Sequence, residues 1–508
     1  MGGLHFIDWV IVFVYAVSTL VLGWYFGRRQ KDTQEYFVGS GNMNSILIGV
    51  SLFATLLSTI SYRSLPGEIL GKGPISLTAL VSLPFIFLIV GFGLLPFYMR
   101  FRVTSAYELL EARLGLSVRL LGVTMFLLLR LVWMSLLVYL TAEALIVMID
   151  VDRSWIPAIV LVTGLVSVTY ASIGGLRAVV ITDLMQTILL FGGAVLVVLM
   201  VTIDFGGFGW FPTEWNANWD TQPLISFDPM VRATMVGTIL TGMVWQICTA
   251  GGDQVSIQRF MATTDARAAR NAFATQMTVN LIVTITLSLV GLSLLAYYQA
   301  HPDALGSLDL KADADELFPH FIAFRLPVGV SGLVVSAMFA AAMSSIDSGV
   351  NSITAVVVTD FLDRFGFRPK TEIGHVRFAR LLAFTIGATV VVASTYVGNI
   401  PGNITEQTNK TVNLLVPMIF SLFFFAMFVR FSNPLGVWIG WACGLTTEVL
   451  IGFSGEIFGW YQPDPDTKLA PVSFQWMGPA ALAVNLLVGT IACWLISRWR
   501  PPASDEVS

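Results

Sequence analysis

Long, nearly uncharged apolar stretches recur along this chain from residue 8 to residue 497, and they decide what it can fold into. Hydrophobic residues make up 56% of the 508 residues and charged residues only 12%, about half the charge of a soluble domain. That composition excludes a disordered protein, a nucleic-acid binder and an ordinary cytosolic enzyme. The solvent for most of the chain must be a lipid bilayer. A span with its share of loop takes about 35–40 residues, which predicts about 13 transmembrane helices in an all-α integral membrane protein. The expected spans are 8–28, 44–71, 77–99, 117–149, 154–172, 176–203, 230–252, 271–300, 324–362, 376–398, 408–430, 434–453 and 475–497. The first is too long for a signal-peptide core, and its positive charges follow it. Residues 501–508 read as a disordered tail.

An odd number of spans puts the termini on opposite sides. Nineteen Lys and Arg residues, among them Arg100, Arg113, Arg267 and Arg377, fall on one side, and six, among them Lys72 and Lys311, on the other. The richer side is expected to be cytoplasmic, with the N-terminus outside and the C-terminus inside the plasma membrane. Two longer loops, 204–229 and 301–323, then lie outside. The first carries Trp210, Trp215 and Trp219, expected at the membrane interface. The second is acidic (Asp303, Asp309, Asp313, Asp315, Glu316), the mark of a solvated face. Three cysteines in apolar stretches (Cys248, Cys443, Cys493) make no disulfide framework. Four histidines in or near loops leave no intramembrane ligand set for haem or copper.

Polar residues in a bilayer are costly and mark function by default. The second span reads SLFATLLSTISYRSLPGE, Ser51 to Glu68. With its many hydroxyls, Arg63, Pro66 and Gly67, it cannot stay a clean helix. Unwound backbone in a membrane is tolerated where it lines a cavity. The seventh span reads TGMVWQICTAGGDQ, where Gly251 and Gly252 are expected to interrupt the helix before Asp253. Breaks five spans apart point to a transporter binding site between inverted repeats. In the ninth span, AAAMSSIDSGVNS, residues Ala341, Ser344, Ser345 and Ser348 share one helix face. Hydroxyls there, with carbonyls freed by a nearby break, form a hard-oxygen set suited to alkali cations. Asp347 lies about 60° round from Ser344 at roughly 100° per residue. In the sixth span, GGLRAVVITDLMQ, Asp183 requires a cation or a donor opposite; an arginine would serve as well as an ion.

These runs together resemble the sodium/solute symporter family, over about residues 8–450. SLFATLLSTISY followed by P-x-E is most similar to the bacterial sialic acid symporters and to the iodide and monocarboxylate branch. The resemblance implies a single transporter domain with a LeuT-type inverted five-plus-five repeat: 44–203 and 230–430, one helix before (8–28) and two after (434–497). It implies one sodium (Na+) site from the carbonyls of Ala54, Leu57 and Ala341 and the hydroxyls of Ser344 and Ser345. A second sodium would map onto Asp183, Ser344, Asp347 and Ser348, although the sialic acid symporters have serine where this chain has Asp347.

The substrate pocket departs further. Where sialic acid symporters place an arginine in the fourth span this chain has Trp133, with Arg130 one turn away. Their pocket threonine and glutamine fall on Leu56 and Leu80, which argues against sialic acid because an unpaired buried polar group costs about 1–3 kcal/mol. Ser58 and Ser61 stay polar. Asp253 matches a sugar-binding position of the sugar branch, Trp133 and Trp245 can stack on a ring face, and Arg63 is a candidate counter-ion for an organic anion. Sugar and anion both remain open. The expected activity is sodium-coupled uptake of a small organic solute by a monomer, rather than an enzyme, channel or sensor.

Overall fold

The computed structural model describes residues 4–27, 36–37, 41–101, 105–221, 223–367, 369, 371–396, 404–412, 414–460 and 471–499. The expected tail 501–508, and charges of the topology count such as Arg28, Arg368 and Lys468, lie outside them. Among the described residues there is helix and no strand. Eleven helices are long and apolar enough to cross a membrane, and the bent pair Ser45–Leu56 and Thr59–Lys72 makes twelve. The seventh span, Met235–Gly252, adds a shorter helix that continues as Gln254–Met261. Each predicted span therefore has a helical counterpart.

Side-chain caps set several starts: Asn44 accepts from Ile46 N, Thr234 from Gly237 N, and Asp265 from Ala268 N. The ninth span, Val330–Val356, is the hub. In its apolar window 83% of residues are buried, against 22% in the first and thirteenth spans, so the hub carries the polar cluster while the peripheral helices face lipid. The fifth and sixth spans join without a loop in one helical run, Ile156–Asp204, which turns at Gly175 (φ 61°, ψ 177°). The last two spans, Pro434–Gly452 and Met477–Trp499, meet along a seam of small residues. A Cβ on Gly440 would lie 2.6 Å from Gly489 Cα, and one on Gly436 2.6 Å from Cys493 N.

Two expectations about the loops are corrected. The acidic stretch is a solvated face only in its first part: Asp303 and Asp309 are exposed, but Ala314–Phe324 folds as a helix with Leu317, Phe318, Phe321 and Ile322 buried. Asp315 lies over the second span, where a Cβ on Gly67 would meet its Oδ1, and its Oδ2 accepts from Ile404 N at 3.3 Å. Of the three tryptophans, Trp210 and Trp219 are buried in the protein, Trp210 donating to Thr202 Oγ1, and Trp215 alone is exposed.

Candidate functional site

The second span breaks where its sequence turns from apolar to hydroxyl-rich. Leu57 (φ −85°, ψ 122°) and Ser58 (φ −121°, ψ 171°) are extended, and the two half-helices meet at a 67° bend. The last rung of the first half is Leu57 N to Phe53 O at 2.8 Å. The carbonyls from Ala54 to Leu57 are thereby released from the helical ladder. Opposite them, Ser345 of the ninth span donates to Thr55 O (3.2 Å) and reaches Leu57 O (3.5 Å). Ser58 is fully buried and its hydroxyl has no partner among the described residues. Ala341 packs in the same buried cluster as Leu57 and Phe53. Ser344, by contrast, turns away from the break and donates to Asp183 Oδ1 at 2.5 Å.

The set Asp183, Ser344, Asp347 and Ser348 is also brought together, around a residue that sequence reading passed over. Arg259, fully buried, donates from Nε to Ser51 Oγ (2.9 Å) and from Nη2 to Ser348 Oγ (2.5 Å), with Asp183 Oδ2 at 3.5 Å. Ser51 also donates to Asp183 Oδ2, and Thr55 Oγ1 lies 2.9 Å from Ser348 Oγ. The cation facing Asp183 is thus a guanidinium, and a second ion among these oxygens would have to displace it from Asp183 and Ser348. Asp347 Oδ1 accepts weakly from Ser348 Oγ (3.3 Å), while its Oδ2 has no partner. Arg259 ends the segment DQVSIQR, Asp253 to Arg259, and the need of the buried Asp183 carboxylate for a cation was the signal that could have pointed to it.

Beside the break lies a cavity of about 260 Å³, near the lower end of small-ligand pockets. Ser61, Ser64 and Glu68 line it from the second span, Trp245 and Gln246 from the seventh, and Gln276, Asn280 and Thr284 from the eighth. The last three sit at i, i+4 and i+8, one polar stripe along the cavity side of that helix. That stripe was readable in the sequence and was missed. Gln276 Oε1 has no partner. Glu68 is held by Arg232 through two hydrogen bonds of 2.7 and 3.1 Å.

Of the expected solute-binding residues, Ser61 and Trp245 line this cavity. Five others do not: Ser58 lies buried at the break itself, and the remaining four each have a physical reason. Arg63 is buried with Nη1 on Leu140 O (2.9 Å) and 3.5 Å from Glu143, facing the fourth span rather than a solute. Asp253 caps its own helix through Val255 N and pairs with Arg130. Trp133 packs against a separate cluster of Ile60, Leu136 and Leu137. Leu80 lies in the tightened helix Pro74–Ser82, outside the lining.

The seventh-span break is also displaced from its expected position. Gly251 and Gly252 remain helical, and the extended residue is Asp253 (φ −91°, ψ 123°). The glycines admit the eleventh span: a Cβ on Gly252 would lie 2.8 Å from Phe420 Cα. Tyr98 donates its hydroxyl to Gly251 O, and Gln254 Oε1 accepts from Ala106 N at 2.8 Å.

The profile of the sodium:solute symporter family matches residues 36–444. A sodium/sialic acid symporter of Proteus mirabilis is 30% identical over 86% of this chain and 87% of its own. A sodium-coupled monocarboxylate transporter 1 of Xenopus laevis is 25% identical over 92% of this chain and 75% of its own. A Na+-coupled sialic acid symporter, solved in a substrate-bound outward-open state, superposes with a TM-score of 0.82 at 25% identity, covering 97% of this chain and 98% of that one. A nucleobase-cation-symport-1 family transporter shares the fold at a TM-score of 0.55 and 12% identity, covering 92% of this chain and 96% of the other.

Proposed function

Because the chain belongs to the sodium:solute symporter family, we propose that it takes up a neutral, polyhydroxylated solute of sugar type together with sodium, by alternating access. The observation that carries this reading is the chemistry of the cavity lining. Against an apolar wall of Leu56, Leu57 and Leu65, its polar groups are hydroxyls and amides, with one indole face and a single carboxylate already neutralised by Arg232. Arg63, Arg130 and Arg259 are each engaged elsewhere, so none of these three guanidiniums stands ready to meet a carboxylate. Amides and hydroxyls that both donate and accept suit ring hydroxyls, and Trp245 offers a stacking face.

Sodium would sit at the second-span break. The released carbonyls of Ala54 and Leu57, the carbonyl of Ala341 and the hydroxyl of Ser345 are hard oxygens suited to it. Ser344 joins them only by leaving Asp183. Binding there ties the second and ninth spans together beside the solute, so each cargo stabilises the geometry the other needs. Each sodium contributes about 2.3 kcal/mol per 100 mV and about 1.4 kcal/mol per tenfold gradient. One ion at 100 mV and tenfold supports roughly 500-fold accumulation of a neutral solute, and two on the order of 10⁵-fold. The Lys/Arg asymmetry supports a plasma-membrane topology with the N-terminus outside, and the protein acts as a monomer.

A second reading, uptake of an organic anion, is favoured by one observation: Arg232 lines the neighbouring cavity of about 190 Å³ that shares Glu68, and it could turn to a carboxylate if Glu68 released it. Thermal stability of the purified protein in sodium and in potassium, across sugars, sugar acids and small carboxylates, separates the two, because a ligand of the folded state stabilises it by mass action. Stabilisation by sodium, raised further by a neutral sugar only when sodium is present, is the expected result. An increase with carboxylates alone would replace the sugar by an anion. Absence of a sodium effect would overturn the ion site.

A further inference from the structure

A groove of about 450 Å³ runs between the first, fourth, fifth and ninth spans, on the side of the ninth span away from the solute cavity. Its walls include Phe13, Val162, Val166, Phe339 and Met343. The hydroxyls that line it on the fifth span are turned inward: Thr163 donates to Ile159 O (2.8 Å) and Ser167 to Thr163 O (3.0 Å). The groove is therefore dry. Its rim residues Phe13, Trp155 and Val162 are exposed at 69%, 59% and 64%, on spans whose other exposed neighbours are apolar, so it opens to the bilayer and not to water.

Trp9 and Trp155 mark one end, both within four residues of a span terminus, the level at which tryptophan meets the headgroups. Ser167 marks the other. The twelve residues from Trp155 to Ser167 span about 18 Å of helix, close to the depth of one leaflet, about 15 Å. Arg153, beside Trp155, reaches Glu316 (3.6 Å) and Glu143 (3.8 Å) but stays 70% exposed, so its guanidinium can still meet a headgroup phosphate at the mouth.

We propose that this groove seats one acyl chain of a phospholipid, whose headgroup lies at Trp9, Trp155 and Arg153 and whose chain end reaches Val166 and Met343. The chain then braces the ninth span from behind, on the residues next to Ser344 and Ser345.

Purified full-length protein in vesicles of phosphatidylethanolamine, with a diazirine placed on the acyl chain at either of two depths, tests this. A diazirine at the chain end should label Val166, Phe339 or Met343, and one near the ester should label Trp9 or Trp155. Val166→Trp or Ala16→Phe, each filling the groove, should cause loss of the deep label while the protein retains its thermal unfolding transition. Label of equal strength along other bilayer-facing helices such as the thirteenth span, or deep label that survives both substitutions, would reduce the groove to ordinary annular lipid and overturn the proposal. The wild-type map decides the matter even if a filled variant fails to fold.

Discussion

Two helices of this protein break inside the membrane, and the breaks are finished in opposite ways. At the second span the backbone opens between Leu57 and Ser58, carbonyls are released, and the Ser58 hydroxyl is left without a partner. At the seventh span the opening is sealed. Asp253 caps the following helix and pairs with Arg130, Tyr98 takes the Gly251 carbonyl, and Phe420 lies on the glycines. An unwound segment offers ligand chemistry only where its polar groups stay unsatisfied. The second-span break leaves oxygens open, as the proposed sodium site requires, whereas the seventh-span break is closed by the protein's own side chains.

The largest effect should come from Ser345→Ala, which removes the side-chain oxygen facing the open break. Sodium-dependent uptake in proteoliposomes should fall to background, and unchanged sodium dependence would erase the distinction between the two breaks.

Next, Asp253→Asn leaves Arg130 charged and buried at the sealed break, which should cost about 3–5 kcal/mol. The double variant Arg130→Met/Asp253→Asn should recover most of the loss in thermal unfolding. No recovery would mean that the loss does not come from leaving Arg130 unpaired, since asparagine keeps the cap in both variants.

The third effect sharpens the contrast on the open side. Burial pushes the Asp315 carboxyl, above Gly67, up to about 6, with Arg63 opposing that rise. Its folded value lies above its unfolded one, so its favourable contribution is complete below the usual carboxylate range and is lost as pH rises through about 6. Asp315→Asn should abolish that part of the pH dependence and stabilise the protein above pH 7, by at most about 3 kcal/mol; identical stability curves from pH 4 to 8 would refute it.

The smallest is Gly252→Ala. Its new Cβ would meet Phe420 backbone at 2.8–2.9 Å, for an expected loss of about 1–3 kcal/mol. An alanine tolerated without loss would show that the eleventh span is not seated tightly on the sealed break.

The spans were legible because lipid imposes a length and a polarity that 508 residues cannot disguise. The ninth-span hydroxyl face and the second-span break were legible for the same reason, since each violates that polarity. What stayed hidden was pairing. Arg63 and Asp253 both read as candidate ligands because a sequence shows a charge without its partner. Only the fold reveals that Glu143 and Arg130 lie within reach, from spans far along the chain. The stripe Gln276, Asn280 and Thr284 was missed for the converse reason: neutral amides and hydroxyls at helical spacing look unremarkable until a cavity is found beside them.

The small-residue seam between the last two spans bears on how the protein is made. These helices leave the ribosome after everything they pack against has been inserted. Their contact at Gly436, Gly440 and Gly489 is backbone against backbone, a fit that needs no water to be expelled and so can form within lipid. The pair can zip together as a hairpin in the bilayer and then dock as one piece onto the spans inserted before it.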